Sequence, residues 1–269
     1  MLGTAVNNTI SDFGEQWSRF PNPTDRHHSS DSLLRDILSG LIEPQLLEGK
    51  RVLEIGSGSG RILEMLLRYK PELLAGLEPS EQAHLLRERF GRYPNVSIIH
   101  ADGTHQFSSE FDYVFVVGVL HHIPEPLPVL RNIQSLLSRD GTLFVWVYGC
   151  ENEMALVVDA LHFLRRFTTK FPDFVLEVVS ALIAVSLRLY WKCARLSHRR
   201  RLPLSRYLDK VFMGCSFRKQ VEIVFDQLNP ECARFYSESE LEGQLKGAGF
   251  SRVLVVNRHG YSLSSIAQK

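Results

Sequence analysis

The chain has 269 residues, 44% of them hydrophobic and 23% charged, close to the averages of soluble globular proteins, which excludes a disordered or fibrous chain. Lys and Arg number 31 against 30 Asp and Glu, a formal net charge of +1, so no global field draws the chain to nucleic acid and no such partner is expected. Cys150, Cys193, Cys215 and Cys232 include no C-x-x-C pair, which excludes a zinc ribbon or dithiol redox motif and fits reduced thiols in the cytosol. Met1 to Trp17 carries Asn7, Asn8, Asp12 and Glu15 where a secretory signal needs a basic start and an apolar run, so a cytoplasmic chain is expected.

Ser32 to Leu47 reads as a helix, with Leu33, Leu34, Ile37, Leu38 and Leu41 at three- and four-residue spacing. From Arg51 short apolar runs alternate with amphipathic stretches: Val52–Ile55, Ile62–Tyr69, Leu73–Leu77, Glu81–Phe90, Val96–Ile99, Tyr113–Val117, Leu127–Leu137 and Leu143–Tyr148. Strand and helix in alternation require crossover connections, hence a parallel sheet covered on both faces: a doubly wound α/β domain. From Glu151 to about Asp226 the period is helical throughout, which predicts a helical insertion. The α/β pattern then resumes with a helix over Ser239–Gly247 and strands over Val253–Val256 and Tyr261–Ile266. The short turn Asn257–Gly260 makes these last strands antiparallel. Four parts are expected: an N-terminal helical cap (1–49), the α/β core (50–150), the insertion (151–227) and a C-terminal completion of the sheet (228–269).

Val52 to Gly60 is a strand running into Gly56-Ser57-Gly58-Ser59-Gly60, with a helix following at once. Glycines at a strand-to-helix turn let a ligand approach backbone N–H groups at the carboxyl end of the sheet. A dinucleotide fingerprint needs a small residue at position 61, where Arg61 stands, and Glu54 would repel a pyrophosphate while suiting an ammonium group.

An acidic residue, one residue, then G-x-G-x-G resembles motif I of the class I S-adenosylmethionine-dependent methyltransferases. The likeness implies a Rossmann-like sheet, mostly parallel with an antiparallel last strand, that binds S-adenosyl-L-methionine. It makes Glu54, Gly56, Ser57, Gly58 and Gly60 cofactor-binding, Glu78 (followed by Pro79) the ribose clamp, and Asp102-Gly103 the partner of the adenine amine. Gly118-Val119-Leu120-His121-His122-Ile123-Pro124 after the fourth strand is similar to motif IV of the small-molecule members, with Gly118 at the cofactor. The opening Phe13 to Phe20 and the stretch from Leu228 to Tyr236 also look like bacterial methyltransferases.

Methyl transfer from a sulfonium is an in-line displacement that needs alignment in a dry site and no metal. A hydroxyl or carbon acceptor adds the need for a general base, for which His121 and His122 are the candidates because they sit beside the implied methyl group. Trp17, His28, Tyr148 and Tyr236 are candidate contacts to a small-molecule acceptor, lipid-linked or glycan in type. His27 or His28 is an alternative base if the N-terminal helix covers the site, with Trp17 and Phe20 as its apolar closure. A nucleotide-dependent oxidoreductase or epimerase, or a protein that binds the cofactor without catalysis, are the rival readings.

Phe174 to Trp191 is almost wholly apolar, with Glu177, Ser180, Ala181, Ala184 and Arg188 on one narrow helical face, and Lys192, Arg195, Arg199, Arg200, Arg201 and Arg206 follow. Two internal charges argue against a membrane span. Two readings stay open: a substrate lid buried against the core, or an interfacial helix making peripheral membrane contact through 174–201. The lid is the expectation. The sequence carries no signal of oligomeric state.

Overall fold

The computed structural model of the protein describes residues 30–150, 155–196, 204–229 and 233–269. Its strands are β1 (Arg51–Ile55), β2 (Leu73–Leu77), β3 (Val96–Ile99), β4 (Phe111–Val117), β5 (Leu137–Tyr148), β6 (Arg252–Arg258) and β7 (Ser262–Gln268). They form one seven-stranded sheet in the order β3-β2-β1-β4-β5-β7-β6. The first five run parallel and β7 is antiparallel to both neighbours. Strand order reverses between β1 and β4, and at such a switch point the loops leaving the two strands diverge and open a crevice.

The helices are α1 (Asp31–Leu38), α2 (Arg61–Leu67), α3 (Gln82–Phe90), α4 (Pro126–Leu136), α5 (Ala155–Thr168), α6 (Asp173–Leu196), α7 (Ser205–Lys210), α8 (Phe217–Leu228) and α9 (Glu238–Gly247). Side chains alternate across a strand, so Val52, Leu74, Phe115 and Phe144 pack one face of the sheet under α1, α2 and α3. Leu53, Ile55, Val114 and Val116 pack the other under α4 and α9. Near-continuous apolar strands are what burial on both faces demands. Ser237 caps α9 in a reciprocal capping box with Glu240.

The expected helix over Ser32–Leu47 is shorter than its periodicity suggests. It ends at Leu38, Ser39 turns left-handed at φ 51°, and only a 3-10 turn over Pro44–Leu47 follows. Gly40 and Pro44 withhold the backbone preference and the N–H a continuing helix needs. α1 is instead tied to the β6–β7 hairpin. The Arg258 guanidinium pairs with Asp36, His259 Nε2 lies 2.8 Å from the Asp36 carboxylate, and Ser264 Oγ donates to the Ile37 carbonyl at 2.6 Å. Burial works against the charge on Asp36, yet Arg258 and His259 hold its carboxyl below the usual range. β5 begins at Leu137, earlier than the strand expected over Leu143–Tyr148, and its register against β4 shifts between Phe111 and Tyr113.

The segment expected to be helical contains α5 to α8, which leave the sheet after β5 and return before α9. They enclose a third core of Leu176, Ala184, Leu208, Phe212, Val221, Val224, Phe225 and Leu228. α6 packs the reverse of the way its apolarity suggests. Leu176, Ser180 and Ala184 are buried, while Phe174, Val178, Leu182, Val185 and Leu189 are exposed, Phe174 by 69% and Leu182 by 64%. Small residues let α6 approach α8 closely, which leaves its large side chains outside.

Candidate active site

A cavity of about 840 Å³ lies at the carboxyl ends of β1, β2 and β4 and continues beneath α5, α6 and α8. Its floor is the glycine-rich turn. Gly56 has φ 74°, and a Cβ there would come within 2.4 Å of Val119, so only glycine keeps the two crossovers together. Gly60 is not a wall of the cavity, contrary to expectation. Its N–H donates to the Ser57 carbonyl at 2.7 Å, and a Cβ would meet Leu86 and Phe90 at 2.6 and 2.8 Å. Gly60 therefore lets α2 lie close to α3.

Glu54, Gly56, Ser57, Gly58, Glu78, Pro79, Asp102, Gly103 and Gly118 all line this end. Glu54 is 1% exposed and its Oε2 has no hydrogen-bond partner among the described residues. Burial pushes its carboxyl well up, against the opposing pull of Ser57 and Arg61. A buried acceptor left unsatisfied costs about 1–3 kcal/mol, and a cationic group of a ligand would relieve it. Glu78 Oε2 accepts from the Gly58 N–H at 2.7 Å, and its Oε1 accepts from the Ser80 N–H at 3.0 Å and the Ser80 hydroxyl at 2.6 Å. A carboxylate offers about four acceptor positions, so Oε2 keeps one for the cavity. Asp102 Oδ1 accepts from the N–H and hydroxyl of Thr104, forming an Asx turn at the exposed mouth.

The expected histidines separate. His122 lines the cavity, but His121 does not. His121 is wholly buried, both ring nitrogens lack partners among the described residues, and its ring lies 4.0 Å from that of Tyr148, centroid to centroid. Burial, with His122 and Arg165 adding to it, holds His121 well below the usual imidazole range. It stays neutral and acts as packing beneath the site. Tyr148 lines the cavity as expected; Tyr236 does not. Its backbone pairs alongside the end of β5, the Tyr236 N–H donating to the Tyr148 carbonyl at 2.9 Å, and its ring belongs to the core. Phe235 faces the cavity in its place. Trp17, His27 and His28 lie outside the described residues.

Beyond the glycine turn stands a polar pole that the sequence did not reveal: Arg61, Tyr207, Asp226, Arg258 and Tyr261. Burial raises the Asp226 carboxyl to about 8, Glu222 adding to the rise and Lys219 and Arg61 opposing it. What surface Asp226 exposes is turned to the cavity. Burial also raises the Tyr148, Tyr207 and Tyr261 phenols, so all three remain donors. The one sequence signal for Asp226 is its position, a charge among Ile223, Val224, Phe225 and Leu228. Around this pole the wall is apolar, with Leu161, Leu164, Ile183, Leu187, Val224 and Phe235. Glu81, His84 and His100, none of them in the cavity lining, form an exposed trio with ligating atoms within 4.8 Å of one another.

Residues 53–143 match the family model described as a methyltransferase domain. Over 134 residues the chain is 24% identical to a tRNA U34 carboxymethyltransferase of Campylobacter concisus, covering 48% of this chain and 46% of the relative. The chain thus spans less than half the length of that curated relative. The complex of DhpI with SAH superposes with a TM-score of 0.60 at 16% identity, over 100% of this chain and 98% of that one. A SAM-dependent methyltransferase from Aquifex aeolicus gives 0.52 at 17% identity, over 94% and 97%. Residues 53–143 are thus matched as a methyltransferase domain, and the seven-stranded sheet with its antiparallel last pair gives the chain the Rossmann-like fold of the class I, S-adenosylmethionine-dependent methyltransferases.

Proposed function

We propose that the protein transfers the methyl group of S-adenosylmethionine to an apolar small molecule carrying an ionisable hydroxyl or acidic carbon. The observation that carries this reading is the continuity of one cavity, from the glycine turn to an apolar chamber with Asp226 at its polar end. When bound, the cofactor supplies an electrophilic methyl on a positive sulfur. The unpartnered Oε2 of Glu54 suits its ammonium group, Glu78 its ribose hydroxyls, and Asp102 its adenine amine. Residues 50–150 would hold the cofactor, and 151–227 would roof the acceptor.

Asp226 is the general base in this reading. Its carboxylate would take the acceptor's proton and return it to water after product release, while a bound cofactor would supply the methyl group and leave, its carbon–sulfur bond broken, as the neutral thioether. A base of pKa near 8 is strong enough to polarise a phenolic or enolic O–H and is ionised in a useful fraction near neutrality. His122, on the same cavity, is the second group able to carry a proton, and the Tyr148 phenol donates a hydrogen bond to orient the acceptor. The apolar wall excludes water, which strengthens these interactions.

The test is incubation with methyl-labelled cofactor and a panel of apolar phenols, quinols and enols, alongside total tRNA, since the curated relative is named for a tRNA substrate. Label in a phenol or enol, abolished by Asp226→Asn, supports the reading. Label in tRNA alone would replace the small-molecule acceptor with a nucleic acid.

A further inference from the structure

α6 carries two different faces. Ile183 and Leu187 line the cavity from above, while Phe174, Val178, Leu182, Val185 and Leu189, spaced three and four apart, form an exposed apolar stripe along its outer side. The stripe continues with Phe163 and Phe167 on α5 and Phe171 in the turn after it, all exposed, the first two rings 5.4 Å apart. Single exposed apolar residues need no explanation, but eight on two consecutive helices and the turn between them do.

Charge indicates what covers it. Between 151 and 229 there are thirteen Lys and Arg against eight Asp and Glu, in a chain of net charge +1. Arg166, Lys170, Lys192 and Arg195 are exposed beside the stripe, and Arg199, Arg200 and Arg201 continue the run in sequence. A broad apolar face with basic residues at its margin matches a membrane interface, where apolar side chains enter the acyl boundary and cations meet anionic head groups. α6 is long and apolar enough to cross a bilayer by length and composition, but burial of Leu176, Ser180 and Ala184 against its neighbours holds it against the protein. Leu164 on α5 is both 40% exposed and part of the cavity wall, so the lipid-facing surface and the acceptor chamber meet there.

We infer that α5 and α6 dock the protein on anionic lipid, bringing a membrane-dissolved acceptor to the cavity at Leu164. The delivery of the acceptor rests on the methyl-transfer reading; the docking does not, and it is measured without any transfer.

The experiment is cosedimentation of the full chain with vesicles of phosphatidylcholine alone and of phosphatidylcholine mixed with phosphatidylglycerol. Binding is expected on the mixed vesicles, weakening as salt rises. It should fall more than tenfold in Phe167→Ser/Phe174→Ser/Leu182→Ser, and also in Lys192→Glu/Arg195→Glu. All five positions are exposed, so circular dichroism and binding of S-adenosylhomocysteine should match the parent protein. Washing at high pH should release the protein from the vesicles. No binding to mixed vesicles would overturn the proposal, as would undiminished binding by the apolar triple variant or a stable dimer in ultracentrifugation that the triple variant dissociates. Resistance to the high-pH wash would replace surface docking with a span.

Discussion

Glu78 Oε2 accepts the backbone N–H of Gly58 at 2.7 Å, tying the end of β2 to the middle of the glycine turn. One carboxylate therefore does two jobs: it fixes the turn's conformation and keeps an acceptor position toward the cavity. Glu78→Ala should weaken binding of S-adenosylhomocysteine by about 1–3 kcal/mol, since it removes the partner of buried hydrogen bonds. Glu78→Gln, which keeps an acceptor oxygen, should lose less. Calorimetric titration of the two variants checks the order; equal affinity in all three proteins would place the ribose elsewhere.

As the proposed base, Asp226 gives the site a pH dependence of definite sign. A base must be ionised, so kcat/KM should rise with pH to a half-maximal value near 8, where the Asp226 carboxyl titrates. Stability should move the other way. The folded state keeps its proton up to about 8 while an unfolded aspartate loses it near pH 4, so the contribution of this group declines as pH rises through that window. Asp226→Asn should then abolish the pH-dependent rise in activity yet raise Tm at pH 8 by roughly 2–4 °C for each kcal/mol gained. Thermal melts at pH 5 and pH 8 read the second effect, and an Asn variant that is less stable at pH 8 would argue against a strained carboxylate.

The glycine turn and its carboxylates were legible in the sequence because their chemistry is local. A strand, a run of glycines and a helix follow one another, and the acidic residues sit where successive strands end. The polar pole was not legible. Arg61, Tyr207, Asp226, Arg258 and Tyr261 come from four separate stretches of chain, and only tertiary packing brings them to one cavity. For α6 the periodicity exposed an apolar stripe but not its direction. The close approach of Ser180 and Ala184 to the helical core, rather than hydrophobicity, chose the buried face. The paired histidines were legible as neighbours of the site, but which of the two faced it depended on the 3-10 turn over Leu120–His122.

That turn makes the two histidines separable by mutation. His122→Ala should lower the rate of transfer with little change in stability, because its side chain faces the cavity. His121 is buried without ring partners among the described residues and held neutral. Its folded pKa lies below the unfolded value near 6.5, so the stability it contributes is present above that value and lost as pH falls below it. His121→Phe should flatten the loss of Tm between pH 7 and pH 5 and leave the pH profile of transfer unchanged. A His121→Phe variant whose Tm falls with acid as steeply as that of the parent protein would show that the buried imidazole is not the source.

Titration calorimetry with S-adenosylhomocysteine and, separately, with NAD tests the central claim most directly, because the spacing at Arg61 and the buried Glu54 favour an ammonium-bearing nucleoside over a pyrophosphate. One equivalent of S-adenosylhomocysteine should bind, more weakly in Glu54→Gln and Glu78→Ala, and NAD should give no heat. Heat from NAD with none from S-adenosylhomocysteine would contradict it.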